Sequence, residues 1–268
     1  MSKTESQIEK FLSKASTVLA TQQGLDAGLH LMAYSSPLVA AAMLKIVQKR
    51  AQHGVKSPTL INSAAGVVRA GTAVGEARTI MRAFGLVPMI DWLLKLHPRP
   101  LDALLSLIRR PLQALNLGDA RVFSTYRVLL LIVFYVGEHL SWLGNKGVLP
   151  LAPETIGRVA TISIRSWAID VFLTAVKLLT QYSSLRARKA ELKRLRATGG
   201  GDKEKIAEKA QALQQEYKTW QTQAAVTFGW LPLTWQWSSG GALWTNPLIT
   251  SVIGLYVGCA KVNAAWNK

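Results

Sequence analysis

Apolar residues recur along this chain at helical spacing, and no series of alternating strands competes with them. A first helix is predicted from Ile8, Phe11, Leu12, Ala15, Val18 and Leu19, with Ser2 to Ser6 available as caps. Gly24 is placed to close it, and Asp26 to start a second. The second runs through Leu29, Leu31, Met32 and Tyr34, meets Pro37, and continues over 38–47 to a basic turn at Lys49 and Arg50 and a stop at Gly54. Ser57 and Pro58 open a third that extends to about Phe84, small and Gly-rich over 64–75, with Arg69, Arg78 and Arg82 along it.

Pro88, Pro98 and Pro100 punctuate the next stretch around Trp92. The cleanest amphipathic pattern follows, over 101–115. Leu101, Leu104, Leu105, Ile108, Leu112 and Leu115 fall within one narrow arc of a helix, with Asp102, Ser106, Arg109, Arg110 and Gln113 opposite and Pro111 as a kink. Two readings stand: a stripe packed on other helices, or a helix lying in a membrane interface with Arg109 and Arg110 near lipid phosphates.

The last segment is the best spanning candidate. Trp244 and Trp266 bracket a stretch with no acidic residue and one charge, Lys261. A helix of about 22 residues rises roughly 33 Å, close to the thickness of a bilayer core. Tryptophans at both ends match an interfacial aromatic belt, and Lys261 is expected to extend its ammonium to the surface. Gly254 and Gly258 lie four apart on one face, which suits self-association and suits packing within the chain equally. A second candidate, 128–148, is balanced. Its apolar run favours insertion by about 3 kcal/mol and Glu138 costs roughly as much. Glu138 and His139 are expected at an interface or paired with a base on the next helix. That helix, 154–180, carries Arg158, Arg165, Asp170 and Lys177 and is not expected to span alone. Residues 186–196 are strongly basic, 199–201 are glycines, and 203–218 carry balanced charges, a pattern for a solvated helical hairpin or loop on the cytosolic side.

Charge changes the picture of the partner. Lys+Arg number 32 against Asp+Glu 15 in 268 residues, a formal net charge of +17. The pI is near 10.3, yet mean hydropathy is +0.18. Nucleic-acid binders are usually polar, so this pairing points to an anionic membrane. The N-terminal segment reads as neither a signal peptide nor a presequence, since it is polar, carries Glu5 and Glu9, and the first Arg is Arg50.

Chemistry of the familiar kinds is absent from the sequence. His30, His53, His97 and His139 are scattered without metal-ligand spacing, and the single Cys259 forms no cluster. The glycines at 199–201 lack the strand and the Lys-Ser/Thr of a phosphate loop. No nucleophile and base are grouped, so no enzyme, metal or cofactor is expected.

The order of the segments resembles the peroxisomal biogenesis factor 11 family. GLDAGLHLMAYSS (24–36) looks like the family's early Asp-Lys…Leu-Gln-Tyr helix through Asp26 and Tyr34, with Ala27 where Lys is common. GEARTIMRAFG (75–85) is similar to its Arg-x-x-x-Arg helix through Arg78 and Arg82. YVGEHLSWLGNKGVL (135–149) resembles its Asp-Asn-hydrophobic-Trp…Lys-x-Gly segment through Trp142, Lys146 and Gly147, with Glu138 for the usual Asp. RVATISIRSWAID (158–170) resembles the Arg/Ser/Trp helix that follows, and the Gly-rich final helix fits the C-terminus. The resemblance implies a helical peroxisomal membrane protein that self-associates, binds anionic bilayers through an N-terminal amphipathic helix, and works with the organelle fission machinery. By position that helix is 60–84, which ranks first for lipid binding, although on a wheel Arg78 intrudes into its apolar arc; the 101–115 stripe ranks second.

The expectation is therefore an all-α, membrane-associated protein. It comprises an amphipathic surface region (1–120), hydrophobic helices (121–182), a charged helical loop (183–222), and a Trp-rich approach with a terminal span (223–268). Its expected function is peroxisome elongation and fission by helix insertion and self-association. The expected lipid-binding residues are Arg69, Arg78, Arg82, Leu101, Leu104, Leu105, Ile108, Arg109, Arg110 and Leu112, with self-association through Gly254 and Gly258. A metabolite channel lined by Glu138, His139, Arg158 and Arg165 is the alternative. Nucleic acid is suggested by charge alone and has no matching motif.

Overall fold

The computed structural model describes residues 3–101, 118–198 and 202–267. Among them the chain forms helices α1 (Lys3–Leu19), α2 (Gln22–Gln52), α3 (Pro58–Ala83), α4 (Leu86–Leu96), α5 (Ala120–Asn145), α6 (Pro153–Ala197), α7 (Lys203–Ser238) and α8 (Pro247–Trp266), and no strand. Helices α2 and α3 pack side by side, as do α5 with α6 and α6 with α7, while α8 lies against both α2 and α7. The two ends of the chain therefore meet, and α3 and α4 join that half to α5.

Side-chain caps set several boundaries. Thr21 accepts a hydrogen bond from the Gly24 amide and starts α2, a role the sequence reading gave to Asp26. Gly24 is consequently inside α2 rather than at the end of α1. Asp119, Asp202 and Asn246 cap α5, α7 and α8 in the same manner. Pro37 does not interrupt α2. A proline at 37 cannot donate to the Ala33 carbonyl, and the Ser36 hydroxyl donates to that oxygen instead, at 3.0 Å.

Interhelical contact is made by small residues. A Cβ built on Gly71 would sit 1.7 Å from Ser36 Oγ, one on Gly137 2.8 Å from Ser163 Cβ, and one on Gly229 2.4 Å from Val257 Cγ2. Such close approach is how helices pack where lipid supplies no hydrophobic drive between them. Among the described residues four helices are long and apolar enough to cross a membrane: α2, α5, α6 and α8. The sequence pattern singled out two of them. In α2 the pattern breaks at Pro37, which the structure bridges. In α6 Asp170 counts against insertion, yet it is buried and paired with Arg127 at 2.7 Å. Helix α6 has 45 residues, and at 1.5 Å per residue it is about 67 Å long, roughly twice a bilayer core. Its far end and the start of α7 form the charged hairpin, held by an ion pair between Arg188 and Glu216 and by Tyr182 stacked on Trp220 at 4.9 Å.

Candidate functional site

The charges that interrupt the apolar helices converge. Asp26 on α2 accepts from Arg78 Nε of α3 at 2.8 Å and, through its other oxygen, from Lys261 of α8. One turn further along α3, Arg82 makes a forked contact with Glu138 of α5 at 2.6 and 2.7 Å and donates to Thr79 Oγ1 at 3.0 Å. Two parallel bonds to one carboxylate are the geometry in which Arg binds best. Four helices are thereby tied together by a ladder of charges. The ladder opens on a cleft of about 730 Å³.

The cleft has a second, aromatic wall. Trp167 of α6 and Trp230 of α7 meet edge to face at 4.7 Å, Trp237 lies 6.0 Å from Trp167, and Phe134 of α5 stacks on Trp167 at 5.1 Å. Tyr34 joins from α2, stacked on His30 at 4.6 Å. His30 is fully buried. Its Nε2 donates to the Gly254 carbonyl at 2.9 Å, which fixes the tautomer because a carbonyl only accepts.

The sequence-predicted residues are distributed as follows. Arg78 is buried and Arg82 half-buried, both engaged with carboxylates inside the protein rather than turned outward; Arg69 is exposed. Leu101 is exposed, whereas Leu104, Leu105, Ile108, Arg109, Arg110 and Leu112 lie outside the described residues. Gly254 and Gly258 face α2 of the same chain, against Tyr34 and against His30 and Leu31, so this helix face is occupied within the protomer. Lys261 does not reach for the surface; its side chain is 19% exposed and bound to Asp26. Glu138 finds its base on α3, not on the helix that follows it. His139 is held by the Tyr135 and Thr79 carbonyls, while Arg158 and Arg165 are exposed. The four residues of the channel alternative are therefore not gathered around one path. Among the described residues no group of three His, Cys, Asp or Glu side chains is placed to hold a metal, and Cys259 is exposed.

Apolar faces left open complete the picture. Ile8, Phe11, Leu12 and Leu19 of α1 are exposed along one side, with Phe11 touching Trp266 of α8 at 5.4 Å and Lys14 above the same ring. Helix α4 packs on α5 yet exposes Val87, Ile90 and Leu94. On α6, Ile162, Ile169, Phe172, Val176 and Leu179 are exposed at spacings that keep them on one face.

The α4 end carries a pH-sensitive histidine. His97 Nε2 lies 2.7 Å from Thr125 Oγ1, whose own proton goes to the Arg121 carbonyl, so the imidazole nitrogen is the donor to the hydroxyl. Burial, and then the nearby Arg121, hold His97 below the usual histidine range. A lowered histidine pKa means that the folded state binds the proton less readily. The stability cost is absent above about pH 6.5 and grows as pH falls below it, because the ring must be charged in a partly buried place beside Arg121 while its Nε2–H goes on donating to Thr125. Limited proteolysis around 97–100 is expected to accelerate between pH 7 and 5, and His97→Gln is expected to flatten that dependence.

The family model for peroxisomal biogenesis factor 11 matches residues 12–256 of the chain. No curated protein and no solved structure matches it.

Proposed function

The chain belongs to the peroxisomal biogenesis factor 11 family, and from that premise we propose that it acts in the peroxisomal membrane to elongate and remodel the organelle before fission. Biogenesis of peroxisomes is the family's business, and the family is one of biogenesis factors rather than enzymes. The mechanism proposed is insertion of amphipathic helices into one leaflet. Each buries an apolar face at acyl-chain depth, widens that leaflet and favours curvature.

The observation that carries this reading is the open apolar side of α1, Ile8, Phe11, Leu12 and Leu19, on a helix whose opposite side bears Lys10 and Lys14. Placing Phe11 or Leu12 in a membrane contributes about 1.5–3 kcal/mol each, and each lysine near an anionic surface about 1 kcal/mol more. Helix α4 offers a second open face at Val87, Ile90 and Leu94, leading directly into the 101–115 stripe. With Arg78 and Arg82 engaged inside the protein, the lipid contact falls to these helices rather than to that part of α3. Self-association belongs in the proposal with a changed surface. The Gly254 face is filled, so the α6 stripe from Ile162 to Leu179 is the face offered to a second copy. The partners are an anionic bilayer, other copies of the chain and the fission machinery.

Expressed in cells, the wild-type chain is expected to lengthen peroxisomes, and Phe11→Glu with Leu12→Glu is expected to leave them round while the protein still reaches their membrane. Elongation by that variant equal to wild type would remove α1 from the mechanism.

A further inference from the structure

The cleft has more positive charge than its own carboxylates neutralise. Arg78, Arg82 and Lys261 line it, against Asp26 and Glu138. Asp26 is shared between two cations, and one positive charge is left in excess. Arg78 and Lys261 are only 9% and 19% exposed, so water screens this excess poorly. A charge withdrawn from water and lacking a counter-ion is costly, and an incoming anion relieves that cost.

The rest of the cleft sets a broad apolar surface beside a few polar side chains, Gln22, Tyr34 and Tyr135 among them. Leu131, Phe134 and Ile164 continue the wall that Trp167, Trp230 and Trp237 begin. At about 730 Å³ the space falls within the range of sites that enclose a drug-sized molecule. Surplus cations beside a broad aromatic and aliphatic surface in one cleft describe a molecule with an anionic head and one apolar body. We propose that the cleft is a binding site for a single-chain anionic amphiphile, an alkyl chain bearing one carboxylate or phosphate. Its head takes the surplus positive charge beside Lys261 and Arg78, and its chain lies along Trp167, Trp230 and Ile164. The walls include α2, α5, α6 and α8, helices long and apolar enough to cross a membrane. A ligand dissolved in the bilayer shares that layer with the helices that wall the cleft. Helix α4 lends the cleft Pro88 and Met89 rather than the exposed Val87, Ile90 and Leu94, and α1 lends it nothing, so the site stands whether or not those open faces bend membranes.

The test uses the full chain in nanodiscs of zwitterionic lipid, with tryptophan fluorescence read against brominated long-chain probes that quench on contact. A brominated carboxylate and a brominated alkyl phosphate are each expected to quench saturably, at concentrations about tenfold below the alcohol of the same chain, the scale of one charge-assisted hydrogen bond. Comparing the two anions reveals which head is preferred. Lys261→Gln, which leaves Asp26 paired with Arg78, is expected to erase the preference for the charged head. Ile164→Phe, which narrows the apolar wall without touching a charge, is expected to weaken both anions alike; it keeps the test valid if the Lys261 variant does not fold. Quenching that rises without saturation, that ignores the head group, or that is unchanged in both variants would overturn the proposal. Displacement of the probe by inorganic phosphate at similar concentration would also overturn it, by making the ligand a soluble anion.

Discussion

Asp26→Asn is expected to destabilise the folded protein by about 3 kcal/mol or more. The substitution preserves shape and leaves an amide oxygen that still accepts one hydrogen bond. What it removes is the single negative charge serving both Arg78 and Lys261. Two mostly buried cations then face each other across a cleft in which the other carboxylate among the described residues, that of Glu138, is already engaged by Arg82. Breaking a buried pair by deleting one partner costs more than the pair itself contributes, because the orphaned charge stays behind. Thermal unfolding in detergent, followed by tryptophan fluorescence, measures the loss. Asp91→Asn is the internal comparison, since Asp91 pairs with Lys95 four residues away and both are well exposed; a change within about 0.5 kcal/mol is expected there. Adding Lys261→Met to Asp26→Asn is expected to recover part of the stability by removing one orphan. If Asp26→Asn proves no worse than Asp91→Asn, the ladder of charges does not hold these helices together.

That ladder also marks where sequence reasoning stopped. Helical periodicity located α1 and α3, and the tryptophans around the last apolar run located α8, because those signals are local. Pairing between residue 26 and residue 261 is not local, and no spacing announces it. A signal was nonetheless present: Arg78 sits within the apolar arc of its helix, and Glu138 interrupts an apolar run at nearly the full cost of inserting it. A charge in such a place requires a partner, and the two misplaced charges on α3 and α5 mark two ends of one network. Lys261 and Asp26 looked ordinary for a different reason. A lysine near a helix end reads as one that reaches for water, and an aspartate after a break reads as a cap. The structure gives the cap to Thr21 and sends both charges inward. Pro37 misled in the same fashion, since the Ser36 hydroxyl that replaces its missing donor is visible only once α2 is built.

Gly254→Ala is expected to be far more damaging than Gly258→Ala, and the contrast decides what this glycine pair is for. A Cβ at 254 would lie 2.0 Å from Tyr34 Cδ1 and 2.4 Å from two further ring atoms. The ring has nowhere easy to go, because His30 stacks on it at 4.6 Å and Trp230 stands edge-on at 6.4 Å. Helices α2 and α8 must then part, stretching the His30 bond to the Gly254 carbonyl and the Asp26 contact with Lys261. Overpacking of this kind costs about 1–3 kcal/mol, and the upper end is expected. At 258 the new methyl would meet His30 Cδ2 at 3.0 Å and Leu31 Cα and Cδ1 at 3.3 Å, a milder crowding that calls for shifts of a few tenths of an ångström. Unfolding of the two variants in detergent should therefore separate clearly. A motif used between chains would behave otherwise, with both substitutions weakening the oligomer alike and leaving protomer stability untouched. Size-exclusion with light scattering, run beside the melts, reads that outcome, and it would return the Gly254 face to self-association. Tyr34 also lines the cleft, so Gly254→Ala carries a further expectation: binding of the brominated anion weakens together with the melt, whereas Gly258→Ala leaves it near wild type.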